Sequence, residues 1–146
     1  MRLFEDQIRF IENFEKDLFT VFQETIKQFD FVIKDFIVNK QLFQKGIDGN
    51  SERLPGYNRM TIRVKLSKSQ PVDRTTLHDT QKFVSSIEVN SFIDRFEISS
   101  NVSYDKYIIK RYGIDVLKPT DDNLREFINN FFMPNFKVFI NKNLKK

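Results

Sequence analysis

The chain has 146 residues and a mass of 17.5 kDa, with 40% hydrophobic residues, 30% charged residues and a formal net charge of +4. That length favours a single domain over 1–146, large enough to bury a core and too apolar for disorder. With no cysteine and one histidine, His78, it excludes disulfides, thiolate nucleophiles, Cys-based zinc or iron–sulfur sites and multi-histidine metal sites.

Residues 1–45 contain no Gly or Pro, and apolar residues recur at Phe4, Ile8, Ile11, Phe14, Leu18, Phe22, Ile26, Phe29, Ile33, Phe36 and Val38. Steps of three and four predict a long N-terminal helix ending before Gly46, which suits the left-handed position after a helix. Forty helical residues would span roughly 60 Å, more than a compact domain needs, so the helix projects or breaks. Thr20 with Gln23 fits a capping box, which makes a helix pair broken near Thr20 the alternative. A second apolar set, Phe10, Phe19, Val21, Phe31, Val32 and Ile37, widens the stripe and implies contact with more than one element.

Residues 46–60 hold three of the four glycines and read as a turn-rich connection. Residues 61–67 alternate strictly, with Ile62, Val64 and Leu66 facing one way and Arg63 and Lys65 the other. This predicts a half-buried strand with a basic outer face, short enough for one or two helical turns to be the alternative. Residues 68–76, polar and broken by Pro71, read as an exposed loop, and 77–86 is ambiguous. Residues 86–90 and 95–99 alternate again and predict a hairpin. Ser103 opens a helix ended by Gly113; Thr120 caps another, with Asp121 and Asp122 at its positive end. Pro134 starts or kinks a last helical piece that runs into a basic tail of Lys142, Lys145 and Lys146. The expected fold is α+β: a long N-terminal helix or helix pair (1–45), a loop and small antiparallel β-sheet with a hairpin (46–100), and C-terminal helices (101–146).

Few residues suggest chemistry. His78 beside Asp79 lacks the opposed nucleophile and acid of a triad, because adjacent side chains in an extended segment diverge. The pairs Glu12/Glu15 and Asp121/Asp122 read as a solvated face and as helix-end electrostatics. Asp48-Gly49-Asn50 fails as a calcium loop, since Glu52, Arg53 and Arg59 stand at positions five, six and twelve counted from Asp48. The spacing of the glycines matches no phosphate loop. No catalytic, cofactor-binding or metal-binding residue is expected, and no cofactor.

Charge separates along the chain. Residues 1–40 carry 8 acidic and 6 basic groups, 41–76 carry 3 and 7, and 77–146 carry 9 and 11. The basic set Arg53, Arg59, Arg63, Lys65, Lys68 and Arg74 is the one candidate face, for nucleic-acid phosphates or for an acidic face of a neighbouring subunit. Seventeen Phe residues, in a chain without Ala or Trp, fit an AT-rich coding sequence and give a core of large rings. Rings on so many faces imply that some are buried between subunits. No run approaches ~18 apolar residues, so no membrane span is expected, and the acidic start over residues 1–6 argues against a signal peptide.

Between 45 and 90 the order of features is distinctive. Lys45-Gly46-Ile47-Asp48-Gly49-Asn50 leads to Leu54, Tyr57, Thr61 and Lys65, then to Pro71, Asp73, Arg74, Thr76-Leu77, Asp79-Thr80, Phe83, Ser86 and Val89. Phe96-Glu97-Ile98, Lys110-Arg111-Tyr112-Gly113 and the turn Leu117, Thr120, Asn123 follow. This order resembles the tail-completion, or head–tail connector, virion-morphogenesis proteins of tailed bacteriophages, most closely those in phages of Bacteroidetes hosts, crAss-like phages included. The resemblance covers about residues 40–132. The family's Gly after Asp-Thr is Gln81 here, so a turn needing positive φ would be strained.

The resemblance implies a non-enzymatic structural protein that forms a homo-oligomeric ring at the head–tail junction or upper tail, after assembly in the host cytoplasm. Its partners would be portal or neck and tail-tube proteins, with possible non-specific contact to genomic DNA in the channel and no membrane. A small basic nucleic-acid-binding module is the alternative.

Overall fold

The computed structural model describes residues 2–144; Met1, and Lys145 and Lys146 of the tail read as basic, lie outside the described residues. Helix α1 (Arg2–Asp35) spans 34 residues, roughly 50 Å, and runs on as a π-helical stretch, Phe36–Lys45. The proposed break at Thr20 does not occur. The Thr20 hydroxyl donates back to the Lys16 carbonyl (3.1 Å), a bond made inside a continuous helix. The backbone instead leaves helical dihedrals at Phe29 (φ −115°, ψ 18°), where the ring tilts onto Phe131 (5.5 Å between centroids). Phe36, Ile37, Gln41 and Leu42 are buried in the π-helical stretch, a spacing that follows its i→i+5 bonding. Gly46 ends the rod in the left-handed region (φ 64°, ψ 40°).

The expected strand over 61–67 is instead helix α2 (Arg59–Ser67). Asn58 caps it, its side chain accepting from the Thr61 N–H (2.8 Å), and among the described residues no second strand lies there to complete a ladder. Burial shows the change of period: Val64 and Leu66 are exposed, whereas Lys65 is buried. A short helix α3 (Lys82–Ser85) precedes the hairpin of β1 (Ile87–Ser91) and β2 (Phe96–Ser100). The hairpin is antiparallel, with Val89 opposite Ile98 and the turn closed by Phe92 N–H to the Arg95 carbonyl (2.7 Å). Ile87, Val89, Phe96 and Ile98 turn toward the core while Glu88 and Glu97 stay exposed.

Helix α4 (Asp105–Tyr112) begins after Tyr104 rather than at Ser103 and stops at Gly113. A 3₁₀ turn, Ile114–Leu117, leads to α5 (Asp121–Phe127), capped by the Thr120 hydroxyl, which accepts from Asn123 N–H (3.2 Å). A second π-helical stretch, Ile128–Phe132, joins α5 to α6 (Met133–Leu144). Pro134 supplies no N–H there, and the Asn135 amide donates to the Phe131 carbonyl (2.8 Å).

The architecture is α+β: the long N-terminal helix, a two-stranded antiparallel sheet and C-terminal helices. β1 packs on α1, as do α5, α6 and the π-helical stretch between them. One core cluster forms there, including Ile26, Ile33, Ile37, Leu42, Ile87 and Phe127. Phenylalanines zip α1 to the C-terminal helices: Phe22 meets Phe132 edge-on (5.6 Å) and Phe14 stacks on Phe139 (6.1 Å). Among the described residues, no helix is long and apolar enough to cross a membrane.

A fully buried Gln41 ties the rod to the C-terminal part. Its amide donates to the Lys118 carbonyl (2.9 Å), and its carbonyl accepts from Thr120 N–H (2.8 Å) and the Asn123 amide (2.9 Å). Gln41→Leu keeps much of the volume and removes the partner of three polar groups, the buried Thr120 N–H among them. It is expected to lower unfolding free energy by about 3 kcal/mol, read by urea denaturation.

Candidate functional site

The segment from Gly46 to Lys82 is held by turns. Leu54 N–H to the Gly46 carbonyl (2.9 Å) and the Ile47–Arg53 bridge close the first loop. Asp48 accepts from the N–H groups of Asn50 (2.9 Å) and Glu52 (3.0 Å) through one carboxylate oxygen. A Cβ on Gly49 would collide with the Lys118 carbonyl oxygen, so the loop seats directly on the turn before α5. Farther on, the Tyr57 hydroxyl accepts from Thr76 N–H (2.8 Å) and the Thr75 hydroxyl donates to the Pro55 carbonyl (2.5 Å). Ser69, Leu77 and Gln81 adopt left-handed backbone (φ 55°, 57° and 62°), strain that the neighbouring bonds of this loop sustain.

These pieces frame a groove of about 640 Å³ between α2, the 77–83 segment and α4. Tyr57, Val64, Lys65, Leu77, Tyr104 and Tyr112 are among its walls. Lys65 is 3% exposed; its ammonium reaches the Gln70 side-chain carbonyl (3.3 Å) and lies over the Tyr57 ring (4.7 Å), with no ion pair among the described residues. At the rim, Lys68 pairs with Asp79 (2.8 Å).

The six basic candidates do not form one face. Arg59 and Arg63 stand one turn apart on the exposed side of α2, with no hydrogen bond or ion pair among the described residues. Lys65 points inward, and Lys68 is paired. Arg53 donates to the Asp73 carbonyl (2.9 Å), and Arg74 binds the Asp73 carboxylate (2.8 Å) and the Phe43 carbonyl (2.6 Å). Arg53 and Arg74 therefore brace the 46–75 turns. His78 is half-buried with its ring edge on Phe43 (5.0 Å) and Nδ1 against the Thr76 carbonyl (2.6 Å). Burial pushes its pKa below the usual 6.5; the Thr76 carbonyl opposes that shift and the Lys65 charge adds to it.

A second feature lies at the far end of α1. Its first turns carry Phe4 (68% exposed), Ile8, Phe10 and Ile11 (62% exposed) in solvent, ahead of the point where Phe14 meets Phe139. The periodicity of the sequence shows this face, but not that the fold leaves it uncovered. Met60, Leu77, Gln81 and Lys82 also line the groove; Met60 was missed because the strand reading of 61–67 turned α2 the wrong way, and the other three because 77–86 shows no clear period.

Neither known protein families, nor curated proteins, nor solved structures match the chain.

Gln81 occupies a left-handed position where the resembled pattern has Gly. Gln81→Gly is expected to raise stability by about 0.5–1 kcal/mol and Gln81→Val to lower it by about 1–2 kcal/mol, both read from denaturation midpoints.

Proposed function

We propose that the chain is a structural virion protein of a tailed phage, part of the head–tail connector or neck or a protein that completes the tail, working by assembly of a homo-oligomeric ring. The observation that carries this reading is the uncovered apolar face of Phe4, Ile8 and Ile11 on a helix whose other half is the centre of the core. Covering each such side chain is worth about 1.5–3 kcal/mol, and a neighbouring subunit provides that cover. The order of features over 45–90 supports the phage assignment, and the left-handed Gln81 fits the turn in which that family places Gly. The role is mechanical: the rod spans between subunits, and the turn-rich segment presents a shaped surface beside it. Portal or neck and tail-tube proteins would be the neighbours, with DNA in the channel.

The nucleic-acid-binding module draws less support. Of the six basic residues, Arg59 and Arg63 alone are both exposed and without a hydrogen bond, ion pair or ring contact among the described residues, too few phosphate contacts for a steep salt dependence.

Electron microscopy of purified particles tests the proposal. The chain is expected as a ring of copies at the head–tail junction or upper tail. Its absence from purified particles would contradict the reading.

A further inference from the structure

The uncovered face of α1 has the geometry of a docking helix. Phe4, Ile8 and Ile11 follow i, i+4, i+7 spacing on one side, and Glu5, Glu12 and Glu15 lie on or beside that stripe. Residues 2–17 carry five acidic and three basic side chains. The segment around the groove has the opposite character, and its charged residues that line the groove itself are Lys65, Asp79 and Lys82. Residues 53–82 carry seven basic and two acidic side chains, and both acids, Asp73 and Asp79, are already paired, with Arg74 and Lys68. Arg53, Arg59, Arg63, Lys65 and Lys82 are left without an acidic partner among the described residues. Lys65 and Lys82 line the groove, and Met60 (70% exposed) and Val64 give it an apolar ridge.

We propose that the first turns of α1 of one copy lie in the α2–α4 groove of the next copy. Phe4, Ile8 and Ile11 sit against Met60, Val64 and the groove tyrosines, and Glu5, Glu12 and Glu15 face Arg59, Arg63, Lys65 and Lys82. The contact joins two different surfaces of the same chain, so it is heterologous and propagates from copy to copy until it closes as a ring. This assignment rests on the reading of the chain as a self-assembling subunit, and it names the surfaces that reading leaves open.

The absence of cysteine permits a direct test. Gln7→Cys marks the arm and Thr80→Cys the groove, both at exposed positions that leave the core and the proposed contact residues intact. With a short bismaleimide, the chain carrying both substitutions is expected to give a ladder of dimers, trimers and longer species. Each single variant should give none, and an equal mixture of the two should stop at the dimer. Adding Ile8→Asp and Ile11→Asp to the doubly substituted chain should abolish the ladder. Absence of a ladder up to about 1 mM chain, or arm-to-arm dimers from Gln7→Cys alone, would overturn the proposal. The ladder reads contact between copies only, so failure to find the chain in virions leaves this result standing, and the reverse holds as well.

Discussion

The structure depends on one constraint: a single rod supplies the wall on which the hairpin and the C-terminal helices pack, and its first turns lie beyond that cover. Between Phe22 and Leu42 the rod meets the hairpin, the 114–117 turn and the C-terminal helices. The buried Gln41 amide fixes the rod to the turn before α5 by satisfying three polar groups at once. Phe14 on Phe139 marks where cover ends, and the first turns of α1 lie beyond it with Phe4, Ile8, Phe10 and Ile11 exposed. The exposed apolar face follows from how the core is apportioned, and it is the surface on which the proposed assembly rests.

The same economy governs charge. Arg53 satisfies the Asp73 carbonyl within the turns between Gly46 and Thr76, and Arg74 ties those turns to the Phe43 carbonyl at the end of the rod. Those residues are structural before they are available to any partner. Lys65 differs, because it is buried beside Gln70 and the Tyr57 ring with no ion pair among the described residues. A buried cation that lacks a counter-charge is costly in a monomer and is offset when an acidic side chain closes over it.

Legibility in the sequence followed the physics of each element. The hairpin was readable because Ile87, Val89, Phe96 and Ile98 alternate and a strand lies opposite to receive the ladder. Residues 61–67 alternate as well, but they lack a partner strand and Asn58 caps a helix, so local pattern gave way to what tertiary structure could satisfy. The end at Gly46 and the cap at Thr120 were readable because each is set by one residue's chemistry. The π-helical stretches were not, since a period of 3.6 was assumed where Phe36, Ile37, Gln41 and Leu42 keep a longer one. The candidate site was legible as a basic segment, but not as a groove. Whether Lys65 points in or out depends on the helical period of α2, and the departure from helical dihedrals at Phe29 leaves no signature in composition.

The most direct measurement of the central claim is amide hydrogen exchange followed residue by residue across a range of protein concentrations. If copies cover the arm of α1, protection rises with concentration over residues 4–15 and around 60–64, while the core amides near Ile33 and Leu42 stay unchanged. Exchange over residues 4–15 that is the same at every concentration would contradict it.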